Sequence, residues 1–163
     1  MANNMALRQA FLAEIQQFEG NLYHFGGKSP GEGFDCSGLL TYCGQQTGVD
    51  LGDPLMTNAD GLKGHCVEVD PGEALLGDLI LFHNTFPDPV TGQPFPADYA
   101  THCGASLGAG TLRMWDTHEN EEDGQVPGVG ETNIGSPFWQ GHFLGVWRPT
   151  AFLAEEAANG DAG

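Results

Sequence analysis

Leu22-Tyr23-His24-Phe25-Gly26-Gly27, followed after six residues by Phe34-Asp35-Cys36-Ser37-Gly38-Leu39, decides how the rest of the chain reads. The second half has the form of a helix start. Asp35 stands where an N-cap residue belongs, and the run from Cys36 to Gln46 is followed by Gly48, a residue suited to the far end. The first half belongs to a Gly-rich loop over residues 21–34, with Gly26, Gly27, Gly31 and Gly33 around Pro30. A helix N-terminus carries partial positive charge and unpaired N–H groups, and both favour a thiolate. Ser37 and Gly38 are small enough to let a substrate backbone approach the sulfur, and the same N–H groups suit an oxyanion. Cysteine is also a common core residue. On this segment alone, core packing and nucleophile stand about even for Cys36.

A thiolate nucleophile needs a base, and the base needs an orienting group. His102 opens an apolar segment directly after a long Pro-rich stretch, a position that faces a cleft. Further on, Met114, Asp116 and His118 alternate onto one face of the next predicted strand. In a hairpin, Asp116 or His118 lies across from His102. Asp116 would hold the imidazole tautomer and stabilise its cation; His118 could do the first of these. For His24, His65, His83 and His142 an ordinary surface or core role is expected.

Working outward, Leu7, Phe11, Ile15 and Phe18 recur at helical spacing and predict an amphipathic helix over 5–19, with Gly20 as its stop. Residues 55–64 read as a short helix, 66–69 as a short strand, and Pro71-Gly72 as a turn. Residues 79–82 read as a buried strand. The segment 83–100 holds Pro87, Pro89, Pro94 and Pro96 and has no periodicity; loops of that length often form lids or binding walls. Residues 102–107 and 111–117 read as strands joined at Gly108-Ala109-Gly110, and 143–147 as a last strand. Helices first and an antiparallel meander after them predict an α+β fold. One domain is expected over residues 1–150, followed by an acidic, flexible tail over 151–163.

Composition narrows the partners. The 163 residues carry a net charge of -17, with only Arg8, Lys28, Lys63, Arg113 and Arg148 as fixed cations. Five dispersed cations build no basic patch, which excludes nucleic acid and an anionic membrane surface as partners. The acidity reads as solubility in a salty medium, where a Debye length of ~8 Å or less screens self-repulsion. No apolar run reaches the ~18–20 residues of a membrane span. Residues 1–10 lack the pattern of a secretory signal, so synthesis in a cytoplasm and another exit route are expected. A monomer without cofactor is expected.

Cys36, Cys43, Cys66 and Cys103 include no C-x-x-C pair. On one helix, Cys36 and Cys43 would lie ~10 Å apart, beyond disulfide reach, so free thiols are expected. A mixed zinc set from Cys36, His102, Cys103, Asp116 and His118 lacks compact ligand spacing. The acidic run Glu119–Asp123 lacks the residue order of a calcium loop. No metal site is expected.

The quoted stretch resembles the signature of the NlpC/P60 cysteine peptidases. Gly77-Asp78-Leu79-Ile80-Leu81-Phe82 is similar to that family's GDL-x-x-F strand, and His102-Cys103-Gly104-Ala105-Ser106-Leu107-Gly108 to its HVGIYLG-like strand. Met114-Trp115-Asp116 falls where the family has a third polar residue, often His. The four blocks keep the family's order and span residues 5–149. The resemblance implies a reduced papain-like fold, N-terminal helices on a small antiparallel sheet. It implies cleavage of peptidoglycan stem peptides, commonly between D-γ-glutamate and a diamino acid. By position it makes Cys36 the nucleophile, His102 the base and acid, and Asp116 the orienter, with His118 as rival. Tyr23 matches a tyrosine beside the nucleophile, and Asp35 and Ser37 match positions that in some members hold the substrate's amino group. Leu76 stands in place of the Pro usual before GDL, and the 83–100 loop is longer than the family pattern leads one to expect. Without a wall-binding repeat or signal, a phage lysis enzyme, a tail enzyme or a secreted effector is expected. An amidase or acyltransferase on the same fold, or a silent wall- or tail-binding domain, are the alternatives.

Overall fold

A computed structural model describes residues 4–119 and 127–154. Helix α1 (Met5–Gln16) and helix α2 (Cys36–Thr47) flank a short hairpin, β1 (Lys28–Ser29) and β2 (Gly33–Phe34). A six-stranded sheet follows, built from β3 (Cys66–Val69), β4 (Leu79–His83), β5 (Ala100–Ser106), β6 (Arg113–His118), β7 (Gly128–Asn133) and β8 (Phe143–Pro149). The one-turn-and-a-half helix α3 (Pro137–His142) precedes β8. The sheet order is β3-β8-β4-β5-β6-β7, with antiparallel pairing throughout. The molecule is α+β, as the element order predicts.

The sheet is covered on both faces, and strand alternation sorts its residues between them. Leu79, Leu81, Cys103, Ala105 and Trp115 join Phe11, Ile15, Leu39 and Leu40 of the two helices in the larger core. Ile80, Phe82, Met114 and Val146 pack on the opposite side with Trp139 of α3. His102, Asp116 and His118 fall in the same alternation as Met114, on the α3 side. His102 of β5 reaches both cores, packed against Phe82 and Trp139 of one and hydrogen-bonded to Cys36 of the other.

Helix α1 is fixed to the sheet by charge as well as by packing. Arg8 is fully buried and donates to Asp78 Oδ1 at 2.8 Å and to the Leu76 carbonyl at 2.7 Å. Arg148 of β8 reaches the same carboxylate, with Nη2 at 2.8 Å from Oδ2. Asp78 also accepts the Leu75 N–H at 2.8 Å.

Several boundaries differ from expectation. Helix α1 ends at Gln16, and Gly20, in the left-handed region with φ 86°, closes the turn beyond it. The expected helix at 55–64 is a 3-10 segment, Asp60–His65, because Gly61 and Gly64 interrupt a run in which only Leu62 is buried. The acidic tail expected from residue 151 falls largely outside the described residues. Its described part, however, is a 3-10 turn, Thr150–Leu153, whose Phe152 is buried edge-on against Phe11 at 6.0 Å. Most of the acidic run Glu119–Asp123 also lies outside the described residues. Strands β7 and helix α3 were not foreseen. No helix among the described residues is long and apolar enough to cross a membrane.

Candidate active site

The nucleophile candidate sits where the sequence puts it. Asp35 is extended and caps α2, its Oδ1 accepting the Gly38 N–H at 2.6 Å. The Gly27 carbonyl accepts the Asp35 N–H at 2.9 Å, which pins the Gly-rich loop against the helix start. A Cβ on Gly38 would collide with that carbonyl, so only glycine permits the approach. Cys36 is the first residue of the helix and 8% exposed.

His102 stands on β5 opposite β6, and its Nε2 lies 2.8 Å from Asp116 Oδ2. A Cβ on Gly104 would meet the Met114 sulfur and Asp116 Cβ, so glycine lets β6 bring Asp116 close. Asp116 is buried and bound three times. Besides His102, Thr132 Oγ1 donates to its Oδ1 at 2.6 Å, and His118 Nδ1 lies 3.3 Å from its Oδ2. His118 therefore meets Asp116 and not His102. Trp139 lies beneath His102, with ring centroids 5.3 Å apart.

These contacts set the protonation states. The Cys36 thiol is held down to about 5 by a hydrogen bond from Cys103, against the effect of burial, and by the charge and hydrogen bond of His102. Burial would lower His102, but the Cys36 thiolate and the hydrogen bond to Asp116 raise it to about 10. Burial would raise Asp116, but hydrogen bonds from His102 and His118 bring it to about 2. Between about pH 5 and 10 the site is thus a thiolate facing an imidazolium, the pair a cysteine nucleophile requires. Burial raises the thiols of Cys43, beyond the ordinary range, and of Cys66, to about 12; Cys103 rises too, chiefly by burial. All four cysteines are free. No group of three or more His, Cys, Asp and Glu among the described residues has the arrangement to hold a metal ion.

Two depressions meet over Cys36 and His102, and both are lined by Tyr23, Phe86 and Thr101. One continues past His102 to His118, Trp139 and Glu119. The other continues past Asp35 and Ser37 to Phe95 and Tyr99. The 83–100 segment forms the wall between them. Thr85 is tied to Thr101 on β5 by bonds of 3.0 Å and 2.6 Å, and an edge-to-face and stacked series runs from Phe25 through Phe86 and Phe95 to Tyr99. Tyr23 lines the same depression as Cys36; burial, and then the charge of Cys36, raise its hydroxyl. Every residue singled out in the sequence lies in this region. Thr132, Trp139 and Lys28 also reach it and were not foreseen as members, and Cys103, weighed only as a zinc ligand, reaches it as a hydrogen-bond partner of Cys36. Ser136-Pro137, a helix-start pair ahead of Phe138-Trp139, was the available signal for Trp139.

Comparison with known proteins agrees with this geometry. Residues 20–148 match the NlpC/P60 family. The chain belongs to that family. It is 26% identical over 145 residues to the bifunctional muramidase/DL-endopeptidase CwlT of Bacillus subtilis, covering 89% of this chain and 37% of that protein. It is 30% identical over 135 residues to the gamma-DL-glutamyl hydrolase of the same organism, covering 83% of this chain and 28% of the relative. The chain thus spans well under half the length of these two relatives. A crystal structure of an NLP/P60 family protein similar to lipoprotein, from Staphylococcus aureus, superposes with a TM-score of 0.72 at 28% identity, covering 91% of this chain and 43% of that one. The architecture is the reduced papain-like fold of the NlpC/P60 family, with the helix bearing Cys36 packed on the antiparallel sheet.

Proposed function

We propose that this NlpC/P60 domain is a cysteine endopeptidase that hydrolyses peptidoglycan stem peptides, at the bond between D-γ-glutamate and a diamino acid. The observation that carries the reading is the chain Cys36–His102–Asp116 at a helix N-terminus, in a domain related to a DL-endopeptidase and a gamma-DL-glutamyl hydrolase. The Cys36 thiolate attacks the scissile carbonyl. In the first turn of α2, Asp35 takes the N–H of Gly38 through its carboxylate and that of Leu39 through its carbonyl. The N–H groups of Cys36 and Ser37 remain for the developing oxyanion. As the tetrahedral species collapses, the C–N bond breaks and His102 gives its proton to the departing amine. Water then attacks the thioester, His102 takes its proton, and Cys36 leaves as thiolate. Asp116 keeps Nε2 of His102 protonated and aimed throughout, and Tyr23 lines the depression that holds the sulfur.

Mass spectrometry of fragments from purified peptidoglycan tests this reading. The expected products end in D-glutamate with a free γ-carboxyl on one side and begin with a free diamino acid on the other. Cys36→Ala should yield none of them. Fragments cut at the lactyl amide would make the protein an amidase instead, and an undigested wall would leave it a binding domain.

A further inference from the structure

The acyl side of the groove is already neutralised from within. Because His102 must protonate the leaving amine, the leaving group lies on the side of His102, His118 and Glu119. The acyl unit then lies on the side of Asp35, Ser37 and the aromatic wall. Asp35 is the one carboxylate among the described residues lining that acyl side. Its Oδ1 accepts from Gly38 N–H at 2.6 Å, Lys28 Nζ at 3.2 Å and Ser37 Oγ at 3.4 Å, and its Oδ2 accepts from Lys28 Nζ at 3.0 Å. The pair is sheltered, with the two side chains 17% and 14% exposed.

Lys28 is held there by the fold. Its strand pairs with β2, in the register Lys28 to Phe34, and its backbone N–H donates to Glu32 at 2.9 Å. The rest of the acyl side offers a cation little. Phe95 and Tyr99 stack on each other at 4.5 Å, which takes up one face of each ring, and Phe86 meets Phe95 edge to face. An ammonium placed there would lose water to apolar rings and sit near the Lys28 charge.

We propose that Lys28 is a specificity-determining residue: by pairing with Asp35 it makes the acyl side select a unit whose nitrogen is blocked as an amide, and reject one ending in a free ammonium. This rests on the endopeptidase reading. The domain would act on stems still joined through their first amide to the rest of the polymer, and poorly on stems already released with a free N-terminus.

Two stem peptides, identical except that one has a free N-terminal α-amine and the other is N-acetylated there, test the proposal through the ratio of their kcat/KM values. The wild-type protein should favour the acetylated peptide by about tenfold or more. Lys28→Met should lower that preference at least about fivefold, mainly through KM for the free-amine peptide, while Lys28→Arg should keep it. A second readout needs no variant. Raising the pH through the α-amine's ordinary range of about 7.7–8.0 discharges the peptide and should close the gap in the wild type. Equal cleavage of both peptides, a preference for the free amine, or a ratio unmoved by both Lys28→Met and pH would overturn the proposal. If neither peptide nor intact peptidoglycan is cut, the endopeptidase reading falls, and this one with it.

Discussion

Asp78, just ahead of β4, and Asp116, within β6, are both enclosed aspartates, each gripped by three partners, and they do opposite work. Asp78 takes its hydrogen bonds from Arg8, Arg148 and the Leu75 backbone. Arginine does not give up its proton at any ordinary pH, so this cluster has one charge state. It ties α1, β4 and β8 together. Asp116 is held by His102, His118 and Thr132. Two of those partners exchange protons readily. The same carboxylate is a staple where its partners are permanent cations and part of a proton path where they are imidazoles.

The comparison breaks most visibly at the nucleophile. Cys36→Ala should reduce turnover by about 10⁴-fold or more and leave unfolding almost unchanged, since neither aspartate loses a partner. Measurable hydrolysis by that variant would detach the Asp116 network from chemistry. Asp116→Asn should come next, costing roughly 10²–10⁴-fold in kcat. Its thermal midpoint should move much less than that of Asp78→Asn. Asp78→Asn leaves two buried arginines without a counter-charge and should cost about 3–5 kcal/mol of stability. Assayed below its melting temperature, it should keep wild-type kcat. Loss of activity in folded Asp78→Asn protein would mean the two networks are not separate.

The pH profile sharpens the contrast. The thiol of Cys36 is lowered to about 5, so kcat/KM should rise tenfold per unit up to that point as the thiolate forms. His102 is raised to about 10, so activity should fall above that pH, when no imidazolium remains to protonate the leaving amine. Asp116 contributes stability in the opposite sense. Its folded value, about 2, lies below the unfolded one, so its contribution is complete above about pH 4 and lost as the pH falls toward 2. A bell confined to a narrow window near neutrality would contradict the ion pair. The smallest effect is expected at His118, whose contact with Asp116 is long at 3.3 Å. His118→Ala should cost about tenfold or less in kcat, and His118→Asn, which restores a nearby N–H donor, should recover most of it.

Much of this arrangement is legible in the chain itself, because it is set locally. Asp35 at a cap position, Cys36 after it and Gly48 in the left-handed region are consequences of helix ends, and the structure has each. That β5 and β6 bring His102 near Asp116 and His118 follows from a hairpin closed at Gly108-Ala109-Gly110, but the choice between them does not: the register Ala105 to Trp115 sets Asp116 across from Gly104, and it reaches His102 diagonally over that glycine. Strand β7 was missed because Gly128-Val129-Gly130-Glu131 dilutes the period-two pattern, and with it went Thr132. Lys28 was missed as a partner of Asp35 because the contact depends on how a two-residue strand folds back on the helix start. Cys103 was weighed only as a zinc ligand. Its contact with Cys36 depends on which face of β5 meets α2, a matter of packing rather than pattern.

The central claim is that Cys36 is a thiolate maintained by His102 and its aspartate. The rate of iodoacetamide alkylation at each cysteine, followed by peptide mass spectrometry from pH 4 to 10, measures it directly. Cys36 should label with a midpoint near 5, while Cys43, Cys66 and Cys103 stay slow across the range. A Cys36 midpoint near 8.5, the value of an unperturbed thiol, would contradict the account.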